Sequence, residues 1–454
     1  MPLIPLLPIL MPLIPIQDVS GGYSHIVVPK APAAIERISQ NNTPLPLSHK
    51  RTVTLSADQI LKTFLDLVKI PSPSGQEAEV RAYVENRLQT LGIAETSTVE
   101  DFLSTPDKQY LVDPSGNLIL KIPGNVSSNR TLLLNAHMDV VPPCLNIKPV
   151  IRQDKKLKGD KRVVHSSGDT VLGGDDKAAL APLLEALAYS LRLDNDTKRK
   201  HPRPNLLLTI TVEEEIGGVG AGKIDPALYM PNGRKPEVAV SFDISGEQGT
   251  VVYEAPQLTI WNATVKGQSA HAGMEPEKGV NALKAAVLAA SQIEVGRLDE
   301  DMSANIGTFN SGQKFNIIAE QAHLSGEVRS LHPEKVERQL EKIQRAFEKG
   351  TLAVKGSSFE LSHHTPIWGY HSDLGLEAFA PLKQALKKTG LPLTPIRTNG
   401  ASDVNVFAKK GIPSVVLSGA YYNPHQTSEF VRVEDMATLA QLMLNIWQCY
   451  ASAP

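Results

Sequence analysis

Thr131-Leu-Leu-Leu-Asn-Ala-His137-Met-Asp139 reads as a strand whose apolar run is broken only near its end, by polar side chains. A strand that is apolar on both faces is covered on both sides, as in the parallel sheets of α/β proteins. The two-residue period of a strand puts His137 and Asp139 on the same face. Buried there, they need partners: a metal, a network or each other. Alone, His-x-Asp favours an ordinary structural pair over a site.

Working outward, Asn117–Ile122 precedes this strand as another apolar run, and Asn205–Val212 and Val238–Asp243 follow it. Between them Asp176–Leu191 has helical spacing. Upstream, Ser56 opens a capped amphipathic helix ending near Ile70, and Gln76–Leu91 forms a second, with Val80, Tyr83, Val84 and Leu88 on one side. Strand–helix alternation with unbroken apolar strands predicts an α/β layer around a largely parallel sheet. The pattern changes near Glu254. Gln257–Gly267 alternates as a strand and Gly279–Val295 is a helix. Two strands within Ser311–Arg329, the helix Pro333–Gly350 and the strand Ser358–His363 complete a β-α-β-β-α-β order of the ferredoxin-like kind. From Trp368 the first pattern resumes, with a helix Leu374–Thr389, a strand Ser414–Leu417 and a last helix from Val433. The expected organisation is one domain from residues 51–253 and 368–454, with a lid domain, 254–367, inserted into it.

Residues 1–50 lack periodicity and read as a disordered Pro-rich leader. Residues 1–16 are apolar, but Pro2, Pro5, Pro8, Pro12 and Pro15 interrupt them. Each interior proline costs a helix ~3 kcal/mol, and a membrane span needs ~20 apolar residues. An export or tethering segment is the alternative. The 46 basic residues nearly balance 48 acidic ones, which gives no reason to expect nucleic acid or an anionic membrane as partner. Two cysteines, Cys144 and Cys449, cannot build a disulfide framework, so a reduced, cytoplasmic protein is expected.

Four further stretches end apolar runs in ionisable groups. Leu172-Gly-Gly-Asp175-Asp176-Lys177 opens a helix, and Thr211-Val-Glu213-Glu214-Glu215-Ile-Gly217 ends a strand in three carboxylates. Asp243 ends the strand from Val238, and Tyr422-Asn-Pro-His425-Gln-Thr-Ser-Glu429 places a histidine just past another. Each alone has a bland reading, a helix cap or a solvated acidic turn. Together they do not, because the strands of an open parallel sheet converge their C-terminal ends on one crevice. Two imidazoles and at least three carboxylates meeting there suit zinc, with cobalt or manganese as substitutes. Five ligands with one carboxylate shared suggest two metals, and an acid left over can serve as general base.

In this order and spacing the motifs resemble the aminoacylase/carboxypeptidase/peptidase T group of cocatalytic zinc hydrolases, the peptidase T branch most of all, over residues 55–450. The resemblance implies that His137 is a metal ligand and that Asp139 clamps its ring. It implies that Asp175 bridges the metals across a cis Asp175–Asp176 peptide, and that Glu214 is the base. One metal would be held by His137, Asp175 and Asp243, the other by Asp175, Glu215 and His425; Glu213 is a bystander. Asp at 243, where the group's carboxypeptidases and deacylases tend to have Glu, favours an aminopeptidase. His271, in Gly267-Gln-Ser-Ala-His271-Ala-Gly, resembles the histidine that reaches the scissile carbonyl. Asn316 and Arg329 resemble residues holding the substrate's far end, and Arg397 with Gly400-Ala-Ser402-Asp403 another substrate-side turn. Ala319 stands where a proline often follows Asn-Ile-Ile. The activity the resemblance implies is removal of the N-terminal residue of short peptides, of tripeptide length on the peptidase T branch; a deacylase or carboxypeptidase is the alternative, and a homodimer is the expected assembly.

Overall fold

The computed structural model describes residues 55–453, except 195, 197–199 and 232. The leader expected over 1–50 lies outside the described residues. The main sheet has ten strands among the described residues. At its centre Asn205–Thr211, Thr131–His137, Val238–Ile244 and Ser414–Ser418 lie side by side and parallel. Antiparallel neighbours flank them: Leu118–Ile122 beside Asn205–Thr211, and Thr250–Ala255 beside Ser414–Ser418.

The unbroken apolar runs have the reason expected of them. All seven residues of Thr131–His137 are buried. Leu132, Leu134 and Ala136 enter a core formed with the helices Ala57–Val68, Gly174–Arg192 and Val433–Ser452. Leu133 faces the other way, into a second core with Phe102, Tyr229 and Phe407. Ser56 stands at the first helix's N-cap, but its side chain makes no capping bond.

The inserted segment folds into a five-stranded antiparallel sheet, in the order 296–297, 302–311, 321–330, 257–266, 358–367. The helices Ala282–Ala290 and Pro333–Leu352 pack on it, so the β-α-β-β-α-β order is present with a short edge strand added. Two details differ from the sequence reading. The first helix begins only at Ala282, because the Asn281 side chain caps it by accepting from the Lys284 N–H at 2.9 Å. The middle strands are Met302–Ser311 and Gln321–Ser330, not both within 311–329. Met302–Ser311 is half exposed, and its mixed Ser, Asn and Gly composition hides it.

A third sheet joins Tyr421–Tyr422, Phe430–Arg432, Arg162–Ser166 and Pro149–Gln153. Tyr422 and Phe430 stack at 4.8 Å across the first pair, which fixes the base of the loop carrying His425. Among the described residues no helix is long and apolar enough to cross a membrane.

Gly326 shows how closely the inserted layer is packed. A Cβ there would lie 2.3 Å from the Trp261 ring and 2.2 Å from the Asn305 carbonyl oxygen. Trp261 is fully buried against Phe347. Gly326→Ala should therefore lower stability by ~1–3 kcal/mol, as overpacking does; an unchanged urea midpoint would contradict the packing described.

Candidate metal centre

The central strands deliver their ionisable ends to one place. His137 is the last residue of its strand, Glu214 and Glu215 follow the strand Asn205–Thr211, and Asp243 lies near the end of Val238–Ile244. Asp175 is supplied by the start of the helix Gly174–Arg192, where Asp175 and Asp176 depart from helical angles and the peptide between them is cis. His425 comes from the loop beyond Tyr422.

Asp175 sits between the two imidazoles. His137 Nε2 is 3.1 Å from its Oδ1, and His425 Nε2 is 3.4 Å from its Oδ2. A second carboxylate stands at each of these same nitrogens: Asp243 Oδ1 is 3.7 Å from His137 Nε2, and Glu215 Oε2 is 3.0 Å from His425 Nε2. Donors at the corners of a tetrahedron around zinc, at ~2.0–2.1 Å each, are separated by roughly 3.3 Å. The observed spacings fall around that value in both sets. Ligand atoms of His137, Asp175 and Glu215 also lie within 4.8 Å of one another, as do those of His137, Glu214 and Asp243.

The electrostatics point the same way. Burial, with the Asp175 charge beside it, pushes the Asp243 carboxyl up to about 7. His425 is raised to about 10 by its hydrogen bonds to Asp175 and Glu215. Burial works to raise Asp175, but the hydrogen bonds from His137 and His425 pull it well below the usual carboxylate range. The cluster thus gathers protons to offset crowded negative charge, and a divalent cation meets the same demand. The residues present fit such an ion.

Their surroundings hold them in place. Asp139 is buried, 3.3 Å from His137 Nδ1. Its carboxylate accepts from Ser74 Oγ at 2.7 Å and from the Glu214 and Glu215 N–H groups at 3.0 and 3.1 Å. One side chain therefore orients the imidazole and the Glu214–Glu215 turn together. Asp176 accepts from the His137 N–H at 3.2 Å, and one of its oxygens lies within 4.8 Å of ligand atoms of Asp175 and Asp243. Glu213 turns outward to Lys223 at 3.0 Å, with a positive φ of 54°. The Glu214 side chain is buried, and one of its oxygens lies within 4.8 Å of ligand atoms of His137 and Asp243. Burial, then the neighbouring Asp243 charge, pushes it well above the usual range.

The residues expected from the inserted layer are not part of this cluster. His271 is exposed, and its Nδ1 accepts from the Gly273 and Met274 N–H groups of its own turn at 3.2 and 3.1 Å. Asn316 is exposed, joined to that turn by its carbonyl, which accepts from the Ala272 N–H. Arg329 is held by Glu327, Nε to Oε1 at 2.9 Å and Nη2 to Oε2 at 3.1 Å, and donates to the Asn399 carbonyl at 3.3 Å. Arg397 pairs with Glu254 at 2.7 Å and lies 3.7 Å from Asp301.

Three participants were not assigned a role from sequence. Tyr421 donates its hydroxyl to Asp243 at 3.0 Å. Asp403, seen only as part of a turn, is buried and accepts from Asn135 and Thr211 beneath the sheet end. Glu429 is buried against the start of the Asp175 helix. Its spacing of four from His425 was the available signal.

Residues 258–354 match the family described as peptidase dimerisation domain. The chain is 32% identical over 388 residues to the uncharacterized protein YqjE of Bacillus subtilis, an alignment covering 86% of this chain and 97% of that one. The crystal structure of aminopeptidase PepT from Bacillus cereus is similar with a TM-score of 0.71 at 31% identity, covering 87% of this chain and 99% of that one. A tripeptidase from Staphylococcus aureus gives a TM-score of 0.74 at 28% identity, covering 88% and 99%. A central sheet with an inserted layer, matched over nearly the whole length of such enzymes, defines a hydrolase of the metallopeptidase class. The chain belongs to the M20 peptidase family, and within it is peptidase T-like.

Asp139→Asn keeps one acceptor oxygen but must turn its amide N–H toward one of the two backbone donors, which reach different oxygens of Asp139. It should weaken metal binding by ~10–100-fold, the usual effect of losing a group that orients a ligand. Calorimetric titration with zinc checks this, and unchanged affinity would remove Asp139 from the site's support.

Proposed function

We propose that this protein uses two divalent ions, zinc or in its place cobalt or manganese, to hydrolyse peptide bonds in short peptides, removing the N-terminal residue of tripeptides. The observation that carries the reading is Asp175, one carboxylate with an imidazole at each oxygen, with the buried Glu214 near His137 and Asp243 in the same cluster. In this reading His137, Asp175 and Asp243 hold one ion, and Asp175, Glu215 and His425 the other. When bound, the ions supply Lewis acidity at the scissile carbonyl and make water a stronger nucleophile at neutral pH.

The remaining steps belong to side chains. Glu214 takes a proton from the attacking water and returns it to the leaving amine, as a general base with a raised pKa is suited to do. Asp139 keeps the His137 ring and the Glu214–Glu215 turn in register through these transfers. His271, carried in by lid movement, donates to the developing oxyanion. Arg329 exchanges Glu327 for the free carboxylate at the substrate's far end, a two-pronged geometry that lysine cannot reproduce. Asn316 and Arg397 line the same end. The match to a dimerisation domain supports a homodimer.

Chelation should abolish activity and zinc should restore it; full activity in verified metal-free protein would overturn the reading. Glu214→Gln should retain both ions while kcat falls by ~10²–10⁴. Loss of an ion instead would mean that Glu214, not Glu215, is the ligand. A tripeptide should be preferred to its C-terminal amide by ~1.5–3 kcal/mol, the size of a charged hydrogen bond, and Arg329→Ala should erase the preference. Equal rates on acid and amide in the parent enzyme would reject the carboxylate clamp.

A further inference from the structure

We propose that Glu429 is a positioning residue that sets the distance between His425 and Asp175, and so holds together one of the two donor sets; this rests on the metal-site reading above. The loop carrying His425 is closed at its base by the Tyr422–Phe430 stack and crossed by one bond from the Asn423 side chain to the Ser428 carbonyl at 3.4 Å. Asn423 and His425 adopt positive φ angles of 54° and 62°, a region that side-chain-bearing residues rarely enter unless something else imposes it. His425 itself is half exposed, its side chain retaining 52% of its surface.

What imposes the shape stands at the loop's end. The Glu429 N–H closes a turn onto the Gln426 carbonyl at 3.0 Å, and its side chain reaches back to the start of the Asp175 helix. There Oε2 accepts from the Leu172 and Gly173 N–H groups at 2.7 and 2.8 Å, and Oε1 from the Asp175 N–H at 2.9 Å. Glu429 is 1% exposed. The turn it fills is shaped around it. Gly173 has φ +73°, and a Cβ on Gly174 would lie 3.0 Å from Glu429 Oε1 and 2.8 Å from Val431 Cγ2.

One carboxylate therefore ties the residue after Gly174 to a point four residues beyond His425. Three charge-assisted bonds to backbone N–H groups make that tie rigid. The other donor set shares Asp175 but depends on Glu429 through that residue alone, because His137 and Asp243 are carried by adjacent strands of the main sheet. Loss of Glu429 should release His425 and leave His137 and Asp243 where they are.

The test is calorimetric titration of metal-free full-length protein with Zn²⁺, with Co²⁺ absorption reporting each site's coordination. Glu429→Gln keeps the size but turns an amide N–H toward a backbone N–H. It should weaken binding of the second ion ~10–100-fold, and that of the first, which loses support at Asp175 alone, by clearly less. His425→Ala should give the same pattern, and the double variant should be no worse than His425→Ala alone. Glu429→Asp keeps the charge but is one methylene short, and serves if the glutamine variant does not fold. Equal weakening of both ions, unchanged binding of both, additive losses in the double variant, or failure of both Glu429 variants to fold would overturn the proposal. A parent protein that takes up fewer than two ions would overturn the metal-site reading itself, whereas two ions in the parent and two, unchanged, in Glu429→Gln would overturn only the role of Glu429.

Discussion

The structure turns on one carboxylate shared by two imidazoles. Asp175 has His137 at one oxygen and His425 at the other, and around this line stand Asp243, Glu215 and Glu214. Two like charges about 4 Å apart repel by about 4 kcal/mol at an effective dielectric constant of 20, so a group of acids this close is stable only with positive charge among them. Protons on the imidazoles and on Asp243 offset part of the repulsion. Divalent ions offset more, and the spacing of the donors suits them.

The fold is what makes the crowding possible. Parallel strands present their C-terminal ends on the same edge, and a sheet covered on both faces keeps those ends out of bulk water. The ligand-bearing loops are then fixed by other carboxylates. Asp139 takes up the backbone of the Glu214–Glu215 turn, and Glu429 that of the Gly173–Asp175 turn. The inserted layer is built differently, as an antiparallel sheet with helices on one face. Its turn around His271 is exposed and its Arg329 is paired with Glu327, and the proposed function has substrate recruit both groups.

Much of this was legible in the sequence, for a definite reason. Apolar runs that end abruptly in acids or histidine, as at Leu134–His137 and Ile210–Glu215, report at once a buried strand and a functional end. The third sheet was not legible, because Pro149–Gln153 and Tyr421–Tyr422 are short, partly exposed strands with no run to mark them. Nor was the bond from Glu429 to Leu172, which spans 257 residues of chain. The Arg329–Glu327 pair could have been seen: residues two apart on a strand share a face, and the sequence Glu-Val-Arg places opposite charges there. The middle strands of the inserted layer were displaced in the reading because Met302–Ser311 has too mixed a composition to stand out.

Anomalous diffraction from crystals soaked in zinc would test the sharing of Asp175 most directly. The account predicts two peaks, roughly 3.5–4 Å apart, with Asp175 contributing one oxygen to each. His137 and Asp243 should complete the coordination of one ion, and Glu215 and His425 that of the other. A single peak, or two with Asp175 bound to only one of them, would contradict it.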